Sequence, residues 1–523
     1  MAGSSVAIGA GDAEATRRAE AVLLEDWRLP ALLLMERVAL VAAARIRNAL
    51  PPGGRVTVLV GPGHNGADGL AVARLLALQG VPVTVRTEGA GPGEVWQQQA
   101  GWARHAGVVF GDLRAWRPGG EAVLVDALLG FGASRAPAGA MAEALLRSRE
   151  SAAWRFAIDL PTGLDPETGV PWGETVFHAD ETLATGVVKQ AVVADPGLEA
   201  TGRLSWVDVG LPEAALALLP GRIIPQPQAG RAWTGEDASR HKGSRGRLLV
   251  LGGGPGMAGA PALAALGAMR AGAGLVEVLV PEAQVPFVAE WVPEALVRGL
   301  PEMSEPAGPP ALLTEALGRV DVVVAGLGTL PGDTMARLAG WCHKVFEGLV
   351  LLDGGALGPE LQPAPFPGPR VLTPHPGEAA RILEASSAAV QADRFGASAR
   401  LVARTGATVV LKGARPIVRG SGLPWHVMAW GEPALATAGS GDVLAGMAGA
   451  TLAEAVRSGG LRPEELPACV AEAVARHQQW GRAAAEAIGP RGVVARDLLE
   501  WSRSGPAWWP AMPGPESMWT RLS

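Results

Sequence analysis

The chain has 523 residues, 48% hydrophobic and 18% charged, with a formal net charge of −6. That length calls for two large domains or three small ones, and an acidic balance with no basic stripe excludes an electrostatic nucleic-acid binder. The two cysteines, Cys342 and Cys469, make neither a disulfide framework nor a zinc site, which fits a reducing cytoplasm.

No apolar signal core opens the chain; Asp12, Glu14, Arg17 and Arg18 arrive early. The run ALLLMERVALVAAARI is broken by Glu36 and Arg37, which predicts an amphipathic helix and not a membrane span. A soluble, cytoplasmic chain is expected. Short β-branched runs then alternate with Ala/Leu-rich segments of helical period. RVTVLVGPG, VPVTVRT, AVLVDALLG, RFAIDLPTG and RLSWVDVG read as strands of a first half. RLLVLGGG, LVEVLVP, VDVVVAGLG, LVLLDGGAL, RVLTP and ATVVLKG read as strands of a second. Continuous apolar strands separated by helices predict parallel sheets covered on both faces, so each half is α/β and doubly wound. The Pro/Gln/Gly cluster near Pro225 and Gly230 marks the boundary, giving domains 1–224 and 225–505. Residues 506–523 read as a flexible tail.

Nearly every residue able to do chemistry falls where a predicted strand ends, which is where open parallel sheets bind ligands. In the first half, GPGHNGADG links a strand to a helix in a phosphate-cradling geometry. His64, Asn65 and Asp68 are more polar than a plain turn requires. Asp126 ends one strand, Asp159 and Thr162 follow another, and Lys189 lies in ADETLATGVVKQ. Each alone has a structural reading: a helix cap, a turn or a solvated lysine.

In order, LLMERVAL, GPGHNGADG, DALLGFG, DLPTGLD and Lys189 resemble the motifs of the YjeF N-terminal family, the NAD(P)H-hydrate epimerases, across the whole first half. The resemblance implies a potassium ion held by Asn65, Asp126 and Thr162. It implies substrate phosphates on His64, Asn65, Gly66, Ala67 and Asp68, and on the loop of Gly130, Phe131, Gly132, Ala133, Ser134, Arg135 and Ala136. Asp159 and Lys189 would be the catalytic pair, with Asp159 as acid/base where R- and S-hydrates interconvert. His64 and Ala67 stand where the family has Asn and Gly.

In the second half, Asp442 follows Gly439, Ser440 and Gly441 at the start of a small-residue helix. A carboxylate suits that dipole end, and the same turn leaves N–H groups free for a phosphate. Asp442 would then take a proton from an attacking hydroxyl. In TPHPGE, Pro376 and Glu378 suit a first helical turn and His375 a satisfied ring; KGAR suits an exposed turn.

Taken in order, HKGSRGRLLVLGG, TPHPGE, KGA and ATAGSGDVLAG resemble the ribokinase-like superfamily, and within it the ADP- or ATP-dependent NAD(P)H-hydrate dehydratases. AGLG and DGGAL replace that family's GPGLG and DADAL, leaving Asp353 without a second acid. The implied reaction is phosphorylation of the hydroxyl on the hydrated nicotinamide ring, followed by loss of phosphate. Asp442 is the implied base, Gly439, Ser440 and Gly441 hold the phosphoryl group, and magnesium (Mg2+) bridges the nucleotide phosphates. Lys412, Gly413, Ala414, Arg415 and Pro416 would line the adenine nucleotide, and Ala260, Gly328 and His375 the hydrated dinucleotide. The resemblance points to ADP before ATP and to a homo-oligomer.

The expectation is therefore a two-domain α/β chain, a Rossmann-like doubly wound sheet followed by a ribokinase-like α/β sandwich. It would repair the hydrates of NADH and NADPH (NADHX and NADPHX), with K+ and Mg2+ as ions and no nucleic-acid or membrane partner. The alternative is a ribokinase-type small-molecule kinase joined to a non-catalytic YjeF-like binding module, which a stable phosphate-ester product would distinguish.

Overall fold

The computed structural model describes residues 8–225, 241–301, 309–329, 334–361, 366–502 and 519–521. Two compact units divide the chain, Met1–Gln226 with Pro513–Ser523, and Pro227–Met512. The expected linker beyond Pro225 lies outside the described residues, as does the expected tail apart from Trp519–Arg521.

The first unit carries β1 (Ile8–Gly11), β2 (Val56–Val60), β3 (Val83–Thr87), β4 (Val109–Asp112), β5 (Val123–Ala127), β6 (Trp154–Ile158), β7 (Glu181–Thr185), β8 (Val188–Lys189), β9 (Arg203–Val207) and β10 (Gly221–Ile224). Its main sheet runs β9-β7-β6-β5-β2-β3-β4, with every pair parallel. Trp519–Arg521 adds antiparallel to β9. The chain builds outward from β2 to β4, then restarts on the other side of β2 with β5. The order reverses between β2 and β5, which makes their carboxyl ends the expected ligand crevice.

Alternation along these strands explains the two covered faces. Val56, Val58, Val60, Val123 and Val125 pack in one apolar cluster with the helices Ala31–Ala49 and His64–Leu78. Leu59, Leu124 and Leu128 pack in another with Leu145 and Phe177. Each such buried side chain contributes roughly 1.5–3 kcal/mol relative to exposure. The helix Ala31–Ala49 is amphipathic as expected: Met35, Val38, Ala42 and Ile46 are buried, while Glu36 pairs with Arg74 and Arg37 with Asp208. A small second ladder, β10-β1-β8, pairs Gly11 with Lys189 and so fixes that lysine.

The second unit carries β11 (Arg247–Gly252), β12 (Leu275–Pro281), β13 (Leu296–Leu300), β14 (Val322–Leu327), β15 (Leu349–Leu352), β16 (Arg370–Leu372), β17 (Thr408–Leu411), β18 (Ile417–Arg419) and β19 (Trp425–Met428). The order is β13-β12-β11-β14-β15-β16-β17-β18-β19, parallel through β17 and antiparallel for the last two pairings. Here the reversal lies between β11 and β14.

The helix Ser440–Arg457 packs on the helix Gly259–Ala271 at backbone contact distance. A Cβ on Gly446 would stand 1.9 Å from the Ala264 carbonyl oxygen, and one on Gly267 2.7 Å from that of Val443. Glycine is required at 446 for that approach. Gly446→Ala is expected to destabilise the second unit by about 1–3 kcal/mol, read as an earlier urea transition of that unit.

Candidate active sites

The first site gathers at the switch point of the first unit. Asp126, one residue before the end of β5, is buried. Its Oδ2 accepts from the Thr162 N–H at 2.7 Å, and its Oδ1 from the Thr162 hydroxyl at 2.8 Å and the Leu128 N–H at 3.1 Å. Burial pushes the Asp126 carboxyl up to about 6, against those hydrogen bonds. Asn65, in the first turn of the helix His64–Leu78, donates to the Leu129 carbonyl at 2.9 Å. Its Oδ1 is buried with no hydrogen-bond partner. Asn65, Asp126 and Thr162 are thus linked through Leu129, whose N–H donates to the Thr162 hydroxyl at 3.0 Å.

Asp159 follows β6 with φ +72°, a left-handed conformation unusual for a side-chain-bearing residue and characteristic of functional turns. Its Oδ2 accepts from the Phe131 N–H at 3.1 Å and its Oδ1 from the Thr185 hydroxyl at 3.0 Å. Lys189 is fully buried, in contact with Asp159 Oδ1, and donates to the Thr185 carbonyl at 2.8 Å. It lies over the Phe131 ring at 5.0 Å. A Cβ on Gly130 would stand 3.1 Å from Asp159 Oδ2 and 3.3 Å from Asn65 Cβ, so the Gly130 loop closes directly over both.

The glycine-rich loop after β2 has two kinds of residue. His64 is exposed, whereas Gly66 has no room for a side chain, its Cβ position lying 2.0 Å from the Gly61 carbonyl oxygen. The Ala67 methyl joins the apolar core. Burial, and then the Asp159 carboxylate, hold Asp68 well above the usual carboxylate range, with Lys189 pulling the other way. Gly132, Ser134, Arg135 and Ala136 are exposed further along the second loop. Sequence reasoning missed Glu20, on the helix Ala13–Ala21, whose carboxyl is raised by burial against the pull of Lys189. It also missed Arg17, 6.0 Å over Phe131. Only the topology brings that helix to the site.

The second site lies at the carboxyl ends of β15, β16 and β17. Lys412 Nζ is 2.7 Å from Asp353 Oδ1 and 3.8 Å from Glu378 Oε2. The turn before the helix Ser440–Arg457 is capped by Gly439 in the left-handed conformation (φ +87°); the Ser440 N–H donates to the Thr437 carbonyl at 3.4 Å, and no side chain caps the N–H groups of Gly441 and Asp442. A Cβ on Gly441 would stand 3.4 Å from Lys412 Nζ and 3.8 Å from Asp353 Oδ2. Burial, then the Asp353 carboxylate, push the Asp442 carboxyl up to about 7, with Lys412 opposing. Glu378 is likewise pushed up to about 7, chiefly by burial.

His375 caps the helix Pro376–Leu383. Its Nδ1 accepts from the N–H groups of Gly377 at 3.0 Å and Glu378 at 3.2 Å, and Glu378 Oε2 accepts from the His375 N–H at 2.8 Å. The ring is exposed, and burial, then Lys412, lowers its basicity; its Nε2 lies 3.4 Å from Glu378 Oε1. Gly328 (φ +60°) meets Ala260, the Cβ positions lying 2.8 Å apart. In the turn after β17, Gly413 and Ala414 are open while Arg415 and Pro416 are buried. Gly355, where the related motif carries its second acid, has its Cβ position 2.3 Å from the Thr329 carbonyl oxygen; a carboxylate does not fit. A cavity of about 390 Å³ beside Thr437, lined also by Pro433, Ala434, Ala436, Pro490, Arg491 and Val493, had no signal in the sequence.

Among the described residues no helix is long and apolar enough to cross a membrane. Residues 31–191 match the family described as YjeF-related protein N-terminus, and residues 248–503 match NAD(P)H-hydrate dehydratase. The chain is 31% identical over 503 residues to the bifunctional NAD(P)H-hydrate repair enzyme of Moorella thermoacetica, covering 91% of this chain and 92% of the relative. It is 33% identical to that of Escherichia coli, covering 93% and 92%. Among solved structures, the ADP/ATP-dependent NAD(P)H-hydrate dehydratase from Bacillus subtilis, co-crystallised with ATP/Mg2+, is 27% identical, with a TM-score of 0.43, over 52% of this chain and 92% of that one. With both halves matched and the relatives aligned almost end to end, the chain belongs to the family of bifunctional NAD(P)H-hydrate repair enzymes.

Proposed function

We propose that the chain interconverts the R- and S-hydrates of NADH and NADPH in its first unit and returns the S form to NAD(P)H in its second, using ADP before ATP. The observation that carries this is the second site: a carboxylate raised to about 7 beside an uncapped glycine turn and a carboxylate-anchored lysine. Asp442 takes the proton of the ring hydroxyl as its oxygen attacks the terminal phosphoryl group of the nucleotide, and the bond to the leaving phosphate breaks. The new phosphate then departs from the ring carbon, pushed by the ring nitrogen. Loss of a proton from the neighbouring carbon restores the double bond. Residues 439–441 hold the phosphoryl oxygens with preorganised N–H groups. Gly413 and Ala414 border the nucleotide, and Ala260, Gly328 and the His375 ring border the hydrated dinucleotide.

In the first unit, the Asp159/Lys189 pair delivers a proton to the departing hydroxyl, the ring nitrogen carries the resulting cation, and water returns to the opposite face with its proton going back to the pair. The orphaned Asn65 Oδ1, the Thr162 hydroxyl and the Asp126 carboxylate form an all-oxygen set suited to K+. Bound there, K+ supplies positive charge next to the Gly130 loop. Among the described residues no three His, Cys, Asp or Glu side chains are arranged to cage a metal; Mg2+ fits here as an ion carried on the nucleotide's own phosphates. A cytoplasmic homo-oligomer remains part of this reading.

The test is recovery of the reduced-nicotinamide absorbance from S-NADHX with Mg2+ and either ADP or ATP. A stable phosphate ester in place of NADH would assign the second unit to a small-molecule kinase. A general base must be ionised in the free enzyme, so kcat/KM for dehydration is expected to fall about tenfold per pH unit below about 7 and to level off above it. A pH–rate profile checks this.

A further inference from the structure

We propose that Lys412 is a catalytic residue of phosphoryl transfer, its ammonium fixed by Asp353 over Gly441 so that it binds the transferring phosphoryl group and not the nucleoside part of the nucleotide. The proposal rests on reading the second unit as a phosphoryl-transfer site. Three observations carry it. First, an ammonium has three donors. One goes to Asp353 Oδ1 at 2.7 Å, and Glu378 Oε2 at 3.8 Å is beyond hydrogen-bond reach, so donors remain for a ligand. Second, the ammonium stands 3.4 Å from the Cβ position of Gly441, over the uncapped helix start. A side chain at 441 would fill the gap between lysine and turn, and glycine keeps it open. Third, the ammonium lies among three carboxylates, those of Asp353 at the end of β15, Glu378 on the helix Pro376–Leu383 and Asp442 on the helix Ser440–Arg457. Burial works against its charge, but these acids outweigh burial and keep it protonated. A nucleotide phosphate approaching three acids needs that cation.

During transfer, Asp442 takes the hydroxyl proton, the ring oxygen bonds to phosphorus, and the bond from phosphorus to the leaving phosphate oxygen breaks. Lys412 forms no covalent bond and keeps its protons; its charge offsets that on the phosphoryl oxygens. Asp353 is the positioning residue, and this gives the acid that remains in DGGAL its use.

The experiment uses the full chain, S-NADHX, Mg2+ and whichever nucleotide the wild type accepts, with Lys412→Met, Lys412→Arg and Asp353→Asn. Single-turnover rates at saturating nucleotide are measured beside nucleotide Kd. Lys412→Met is expected to lose on the order of 10²–10³-fold in rate with nucleotide Kd little changed, and Lys412→Arg to recover part of it. The acid limb of the pH–rate profile gives a second readout that a packing role would not move. Asp442 is flanked by Asp353 and Glu378, which raise its proton affinity, and by Lys412, which lowers it. Lys412→Met therefore moves the limb to higher pH, and Asp353→Asn to lower pH. A Lys412→Met loss confined to Kd, or acid limbs that stay fixed in both variants, overturns the proposal. If Lys412→Met does not fold, Asp353→Asn decides: an unchanged rate and limb overturn it. A wild type that turns over no hydrate with either nucleotide overturns the phosphoryl-transfer reading itself.

Discussion

Asp442→Asn is expected to abolish dehydration of S-NADHX while R/S interconversion continues. The substitution keeps shape and helix position but removes the only function that matters in the step, accepting a proton. General-base removal costs on the order of 10²–10⁴-fold, and the loss should appear in kcat as well as kcat/KM because the proton moves only in the transition state. Folding should not suffer. The Asp442 carboxyl is raised by burial and by Asp353, so its contribution to stability is fully present below the unfolded carboxylate value and is lost as pH rises through about 7. An asparagine carries no such charge, so at pH 8 the variant should unfold at or above the wild-type temperature. Loss of turnover with retained or raised Tm isolates the chemistry. Near-normal dehydration by the variant would remove Asp442 from the role of base.

Much of this arrangement was legible in the sequence. Apolar strand runs such as RVTVLVGPG and VDVVVAGLG are central strands of parallel sheets, buried on both faces, and they became β2 and β14. The strands that escaped reading are of a different kind. β4 and β13 are edge strands with Val109 and Leu296 exposed, so neither carries a continuous apolar run. β7 is central but reads ETLAT, because Glu181 is buried in a two-pronged pair with Arg45 at 2.8 and 2.6 Å and also accepts from the Ser205 hydroxyl. A buried charge satisfied from a distant helix has no local signature.

The sites show the same division. Motif glycines announced the tight turns, and the would-be Cβ contact of Gly66 with the Gly61 carbonyl oxygen explains why glycine is there. What a local motif cannot announce is a partner from another strand end. Asp353 and Lys412 are separated by 58 intervening residues, as the sequence separation of 59 between them requires, and only the adjacency of β15, β16 and β17 joins them. Glu20 and Arg17 reach the first site in the same way, from a helix whose own sequence reads as an ordinary amphipathic surface segment. His375 reads in the sequence as a satisfied ring and, by resemblance, as a ligand contact. The capping geometry accounts for Nδ1, and Nε2 of the exposed ring lies 3.4 Å from Glu378 Oε1.

For the first unit, Asp159→Asn is expected to stop use of the R-hydrate while S-hydrate is still consumed. The argument has to separate chemistry from folding, because Lys189 is fully buried and its carboxylate partner would be gone. Breaking one side of a buried ion pair costs about 3–5 kcal/mol. The asparagine also retains a single acceptor oxygen for the Phe131 N–H and Thr185 hydroxyl that the carboxylate now serves separately. The double variant Asp159→Asn, Lys189→Met removes the stranded charge and should recover much of the lost stability. It should recover none of the epimerisation, expected to fall on the order of 10²–10⁴-fold in both. The measurement is the fate of a mixed R/S pool with nucleotide present and spontaneous epimerisation subtracted: both variants should consume the S fraction and then stop. Continued consumption of the R fraction by the stable double variant would move proton transfer to Asp68 or Glu20, two acids of this site whose proton affinity burial and the Asp159 carboxylate raise.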